Sequence, residues 1–121
     1  PDPGTEPIVL YTHWAGSELP DAVETAIQLA MKRCDDPSYF TRIVIHKVLS
    51  LLGADPDSET GFGLNVGSLD DNSYPIIVLH RNEKEVHVVS EAEFESKQYT
   101  SNKKITFDEA HDGAIRKLRG C

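Results

Sequence analysis

The sequence is poor in cysteine, in cationic side chains and in long apolar runs. Its two cysteines, Cys34 and the terminal Cys121, make no disulfide framework, because a bridge to the last residue constrains little; reduced thiols are expected. Nor do two thiols so far apart form a zinc site by themselves. The longest apolar runs, Ile43-Val44-Ile45 and Ile76-Ile77-Val78-Leu79, fall far short of a bilayer span, so no membrane partner is expected. Pro1-Asp2-Pro3-Gly4 lacks the basic region and apolar run of a secretory leader, and a cytoplasmic location is expected. Only 12 Lys and Arg oppose 20 Asp and Glu, and the net charge of −8 excludes general nucleic-acid binding, which needs a basic footprint. The deficit is uneven: residues 1–96 carry net −11 and residues 97–121 net +3, a basic end that suits the dipole of a terminal helix.

Several motifs are missing as well. Thr60-Gly61-Phe62-Gly63 is neither a phosphate-binding loop, having no Gly-Lys-Ser/Thr, nor a dinucleotide fingerprint. Asp70-Asp71-Asn72-Ser73 lacks the spacing of a calcium-binding loop and reads as a solvated turn. The five histidines, His13, His46, His80, His87 and His111, show no His-x-x-x-His spacing. No Gly-x-Ser-x-Gly elbow is present, and Ser17 near His13 is too loose a pair to read as nucleophile and base. No cofactor is implied, and no catalytic or metal-ligating set stands out.

What is present is an ordinary globular composition, 39% hydrophobic and 26% charged, in a 121-residue chain long enough for one core. Residues 1–7 read as a loose leader and residues 8–121 as a single domain. Ile8 to Trp14 is β-branched and aromatic and predicts a strand, broken by Ala15-Gly16-Ser17. Pro20 suits a helical first turn, and Val23, Ala26, Ile27, Ala30 and Met31 recur at helical spacing over residues 20–33. Asp36-Pro37 restarts a helix bearing Phe40, Ile43, Val44, Val48, Leu51 and Leu52, and Gly53 ends it. Residues 61–67 alternate apolar residues with glycines, a short strand made for close backbone approach. Pro75–His80 and Val86–Val89 predict a hairpin, which lets His80 and His87 face each other across it. Ser90-Glu91-Ala92-Glu93 is a capping box opening a helix over 91–98; Gln98–Lys104 is polar and expected to be mobile. Thr106-Phe107-Asp108-Glu109 is a second capping box, opening a last helix to Arg119. The expected fold is α+β: one mainly antiparallel sheet of about four strands packed with helices, in the order β-α-α-β-β-β-α-α.

The candidate site grows from Tyr11-Thr12-His13-Trp14-Ala15-Gly16-Ser17. A strand end feeding a helix start leaves N–H groups free, the small residues allow approach, and Trp14 offers a stacking face. The same stretch also reads as a core tryptophan beside an ordinary turn. Arg42, for which an ion pair within the chain is expected, otherwise meets a carboxylate or phosphate of a ligand.

With these residues in hand, the chain resembles a group of small, uncharacterised proteins of bacteria and their phages. The shared pieces are Tyr11-Thr12-His13-Trp14-x-Gly16, Leu19-Pro20, Asp36-Pro37-Ser38-Tyr39 with Arg42-Ile43, Thr60-Gly61-Phe62-Gly63, and Asp71-Asn72 before Pro75. They cover residues 8–80; members of the group often carry Trp near the position of Cys34 and begin with an extra short strand. The resemblance brings no established activity. It implies that these pieces meet in one pocket, lined by His13, Trp14, Gly16, Ser17, Arg42, Phe62 and Asp71. The expected function is non-enzymatic binding of a small molecule or nucleotide, by analogy with phage domains that sequester a host defence signal, in a homo-oligomer. Two alternatives belong to other classes. One is a small hydrolase or phosphodiesterase using His13 with Asp36 or Asp71. The other is an acidic interaction module that inhibits a host enzyme, its acidic surface mimicking a nucleic acid.

Overall fold

The computed structural model describes residues 8–12, 18–53, 57, 62–67 and 75–120. Strand β1 (Ile8–Thr12) leads to helix α1 (Leu19–Ala30), which tightens into a 3₁₀ turn over Met31–Arg33. Helix α2 (Pro37–Leu51) follows, then β2 (Phe62–Val66), β3 (Ile76–His80) and β4 (Glu85–Val89). Helix α3 (Glu91–Glu95), β5 (Lys104–Thr106), a 3₁₀ turn over Phe107–Glu109 and α4 (Ala114–Arg119) complete the order. The fold is α+β and every strand pairing is antiparallel, as the sequence predicts.

Among the described residues the strands form two sheets and not the one central sheet expected. β1 and β2 make a two-stranded ribbon, and β3-β4-β5 make a separate three-stranded sheet. The fifth strand is β5, which starts at Lys104, the last residue of the stretch expected to be mobile. Its Lys-Ile-Thr holds one half-buried residue, too little for a period-2 signal, and its pairing with the free edge of β4 makes it a strand.

Local signals otherwise act as physics dictates. Pro37 occupies the first turn of α2 and Gly53, at φ 74°, follows its end. Asp36 stands at the N-cap position, yet its side chain makes no cap hydrogen bond. Both capping boxes form, with Ser90 and Glu93 exchanging bonds across the start of α3 and Thr106 and Glu109 doing so further on. The second box opens only one 3₁₀ turn instead of a helix to Arg119, because Asp112 and Gly113 adopt left-handed backbone at φ 55° and 76°. α3 likewise stops at Glu95, short of residue 98, and Lys97 beyond it turns left-handed at φ 65°. In β2, an added Cβ at Gly63 would meet nothing within 4 Å, so no close approach demands that glycine.

The main core lies between the helices and one face of the three-stranded sheet. α1 contributes Ala22, Val23, Ala26, Ile27 and Ala30, and its small residues let it lie close against Phe40, Val44 and Val48 of α2. Val86, Phe107, Ala110 and Ile115 close this core, with Ile77, Leu79 and Ile105 at its edge. The opposite face of the sheet packs Val78 and Val89 against Phe94 of α3, with Val9 and Tyr99 beside them. Because both faces are covered, Val86 to Val89 are buried without alternation.

Candidate functional site

Of the seven predicted site residues, His13, Trp14, Gly16, Ser17 and Asp71 lie outside the described residues. Two motifs of the resemblance do meet. In the ribbon, Tyr11 stands opposite Gly63 and Thr12 opposite Phe62, so the strand that precedes His13 runs beside the Phe62-Gly63 pair. Arg42 lies on α2.

The exposed face of α2 gathers Tyr39, Arg42, His46 and Ser50, spaced at three, four and four residues, while Phe40, Val44 and Val48 point into the core. Tyr39 is 49% exposed, and the Arg33 guanidinium sits 4.8 Å from its ring centroid. Arg33 also lies 4.0 Å from the Asp36 carboxylate. The expected ion pair of Arg42 is not formed: no carboxylate among the described residues pairs with it, because Asp36 turns to Arg33 and Asp35 to Lys84. Four of the six Lys and Arg of residues 1–96, namely Lys32, Arg33, Arg42 and Lys47, fall in this one stretch. With Asp35 and Asp36 the only acids among residues 32–47, this stretch is net +2 on a chain of net −8.

The β3–β4 turn braces this face. Arg81 Nη1 donates to Thr41 Oγ1 at 2.8 Å and to the Pro37 carbonyl at 3.3 Å. Lys84 Nζ meets Asp35 Oδ1 at 2.7 Å, and that contact raises the lysine's affinity for its proton. The start of α2 is therefore held from two sides.

A second polar cluster lies on the α3 face of the sheet. His80 stands opposite Glu85 and His87 opposite Val78, which makes the two histidines diagonal neighbours on one face. Their rings meet edge to face, with centroids 4.4 Å apart, and only 6% and 3% of their surfaces are exposed. His80 Nε2 donates to the Tyr99 carbonyl at 2.8 Å. His87 Nδ1 accepts from the Ser101 N–H at 3.0 Å, which places the proton of the neutral ring on Nε2, 3.1 Å from Glu85 Oε1. That contact holds the Glu85 carboxyl below its usual range. The hairpin spacing lets these histidines face each other, as they do; their bonds to residues 99 and 101 carry no sequence signal.

Burial lowers the pKa of His80 from 6.5, against the opposing pull of its bond to Tyr99. The unfolded chain therefore binds more protons than the native one between that lowered value and 6.5. Stability contributed by neutral His80 is fully present above pH 6.5 and is lost as pH falls through 6.5 towards the folded value. Urea midpoints measured from pH 8 to 5 are expected to fall below pH 6.5, and His80→Gln should flatten that decline. A decline unchanged in that variant would contradict the assignment.

The carboxylates with defined partners are spread over the molecule: Asp21 on Arg116, Asp35 on Lys84, Glu85 on Lys104, Asp112 on His111. Glu93 and Glu109 are held in capping boxes, which lower their pKa values. Ile8, Leu64 and Val66 of the ribbon are 54%, 55% and 70% exposed, with Ile8 directly opposite Val66. No group of three or more His, Cys, Asp or Glu suited to a metal ion occurs among the described residues. No helix among them is long and apolar enough to cross a membrane. Comparison of the chain with known protein families, curated proteins and solved structures finds no match.

Proposed function

We propose that this chain is a non-enzymatic binding protein for a small phosphorylated ligand, of which a nucleotide is the leading class. The observation that carries the reading is Arg42: an exposed guanidinium with no carboxylate partner among the described residues, one turn from exposed Tyr39 and one turn from His46. A guanidinium offers paired donors to phosphate oxygens, and an aromatic side chain offers a face to a base. Arg33 over Tyr39 adds a second cation. Bracing by Arg81 and Lys84 presents these groups on a fixed helix, which limits the entropy lost on binding. The spread of paired carboxylates weighs against the acidic-mimic alternative. Sequestration of a host defence signal, with His13, Trp14, Gly16, Ser17, Phe62 and Asp71 completing the pocket, is the extended form of the proposal.

The test is native mass spectrometry of protein taken from its own cells, followed by titration with nucleoside mono-, di- and triphosphates at 0.15 M salt, roughly the physiological ionic strength. The expected result is a co-purifying phosphorylated mass, with affinity reduced tenfold or more in Arg42→Ala, about 1.5–3 kcal/mol for a charge-assisted contact. A clean mass with no binding across the panel overturns the reading.

A further inference from the structure

We propose that the stacked His80–His87 pair is an acid-sensitive latch, and that a proton on His87 releases the Ser101 N–H from the sheet while His80 keeps its hold on Tyr99. The inference does not depend on the ligand reading, because it concerns the opposite face of the β3–β4 hairpin.

The two rings grip the same short stretch of backbone, the connection from α3 to β5. His80 donates to the carbonyl of Tyr99, and His87 accepts the N–H of Ser101. The grip on Ser101 exists only while Nδ1 of His87 has no proton, since a backbone N–H can only donate. A proton on that nitrogen sets two donors against each other 3.0 Å apart, and one of them must move. His80 differs, because a proton on its Nδ1 faces Glu83 at 3.9 Å and leaves the Tyr99 bond in place. The neutral pair is thus closed, and the charge on His87 is the opening event.

The surrounding groups set the balance. Glu85 of β4 contacts His87 Nε2 at 3.1 Å and accepts its N–H in a hydrogen bond. Lys104 of β5 lies 3.7 Å from the other oxygen of Glu85. Glu83 of the turn favours charge on His80 and burial opposes it, and the two rings lie 4.4 Å apart, so a charge on one stands close to the other. Two cations do not share this buried site at that distance, so a second proton is taken up only with displacement of one ring.

Release has a defined path. Ser101 is also tied through its hydroxyl to the Val88 carbonyl at 2.7 Å, and its Oγ accepts from Lys103 N at 3.0 Å. The next ladder bond, Val88 N to the Lys103 carbonyl at 2.9 Å, adjoins the pairing of β5 with β4. Loss of the Ser101 N–H bond therefore loosens the entry to β5, while the main core around α1 and α2 is untouched.

The experiment is amide hydrogen exchange by NMR on the unaltered full chain at pH 7.5 and 5.0, corrected for intrinsic rates. Imidazole ¹⁵N shifts report the charge and tautomer of each ring over the same range. The expected result is roughly a tenfold or larger loss of protection at the Ser101 amide, with that of Val44 in α2 unchanged. His87→Asn supplies a carbonyl near the position of Nδ1 and does not titrate, so it should hold Ser101 protected at pH 5.0. The proposal is overturned if Ser101 stays protected while His87 is charged, if both rings remain neutral at pH 5.0, or if His87→Asn loses protection equally. Should that variant not fold, the shifts and exchange rates of the unaltered chain decide by themselves.

Discussion

Phe40→Ala is expected to destabilise the chain by about 3–5 kcal/mol, the range for truncating a buried phenylalanine. Phe40 is 1% exposed in the first turns of α2, and its ring stacks on Phe107 with centroids 5.3 Å apart and planes 13° from parallel. The substitution removes the transfer energy of the ring and leaves a cavity lined by groups from both helices and the 3₁₀ turn. Against a total of about 5–15 kcal/mol for a domain of ordinary stability, that loss brings the chain close to unfolding at room temperature. Urea denaturation measures it. A loss under about 1 kcal/mol would mean that the site collapses freely and that the core is not close-packed there. Phe40→Leu, which keeps most of the volume, should cost well under half as much.

Glu24→Ala is expected to cost about 2–4 kcal/mol, although Glu24 is a charged residue in the middle of a helix. Glu24 is only 6% exposed, and its carboxylate accepts from the backbone N–H of Ile115 at 2.6 Å and of Gly113 at 3.2 Å. These two donors open α4, where no side chain of the helix itself supplies a cap. The carboxylate thus binds the positive end of a helix from 89 and 91 residues away in sequence. Removing it leaves two N–H groups without their partner. Glu24→Gln keeps one acceptor and turns an amide N–H₂ towards the other donor, so it should fall between the parent and the alanine variant. Equal stability of parent and Glu24→Ala, with the Ile115 amide still protected from exchange, would show that water replaces the carboxylate at no cost.

These two residues differ in how they could be read from sequence. Phe40 falls on an apolar stripe at helical spacing, so its burial follows from periodicity. Glu24 falls on the polar side of every local rule, since a carboxylate inside an amphipathic helix reads as solvated. Its role depends on α4 arriving against α1. The histidine pair is intermediate: hairpin spacing brings His80 and His87 together, but their hydrogen bonds depend on where Tyr99 and Ser101 return. Arg42 was legible as a cation on the second helix, and its lack of a carboxylate partner among the described residues was not, because Asp35 and Asp36 are captured by Lys84 and Arg33. The pairing of Tyr11-Thr12 with Phe62-Gly63 was foreshadowed only by the resemblance of these motifs.

The sequence by itself determined the elements whose signals are local: the Pro37-to-Gly53 helix, the β3–β4 hairpin, both capping boxes and the antiparallel α+β class. Each rests on interactions among residues a few positions apart, where periodicity, caps and turn chemistry act directly. Tertiary structure decided the rest. It split the strands into a ribbon and a three-stranded sheet, made a strand of Lys104–Thr106 by lending it an edge, and broke the last helix at Asp112 and Gly113. It also buried Glu24, His80 and His87 among partners distant in sequence. The physical reason is common to all of these: a backbone edge, a helix end or a buried polar group is satisfied by whichever partner the packing delivers.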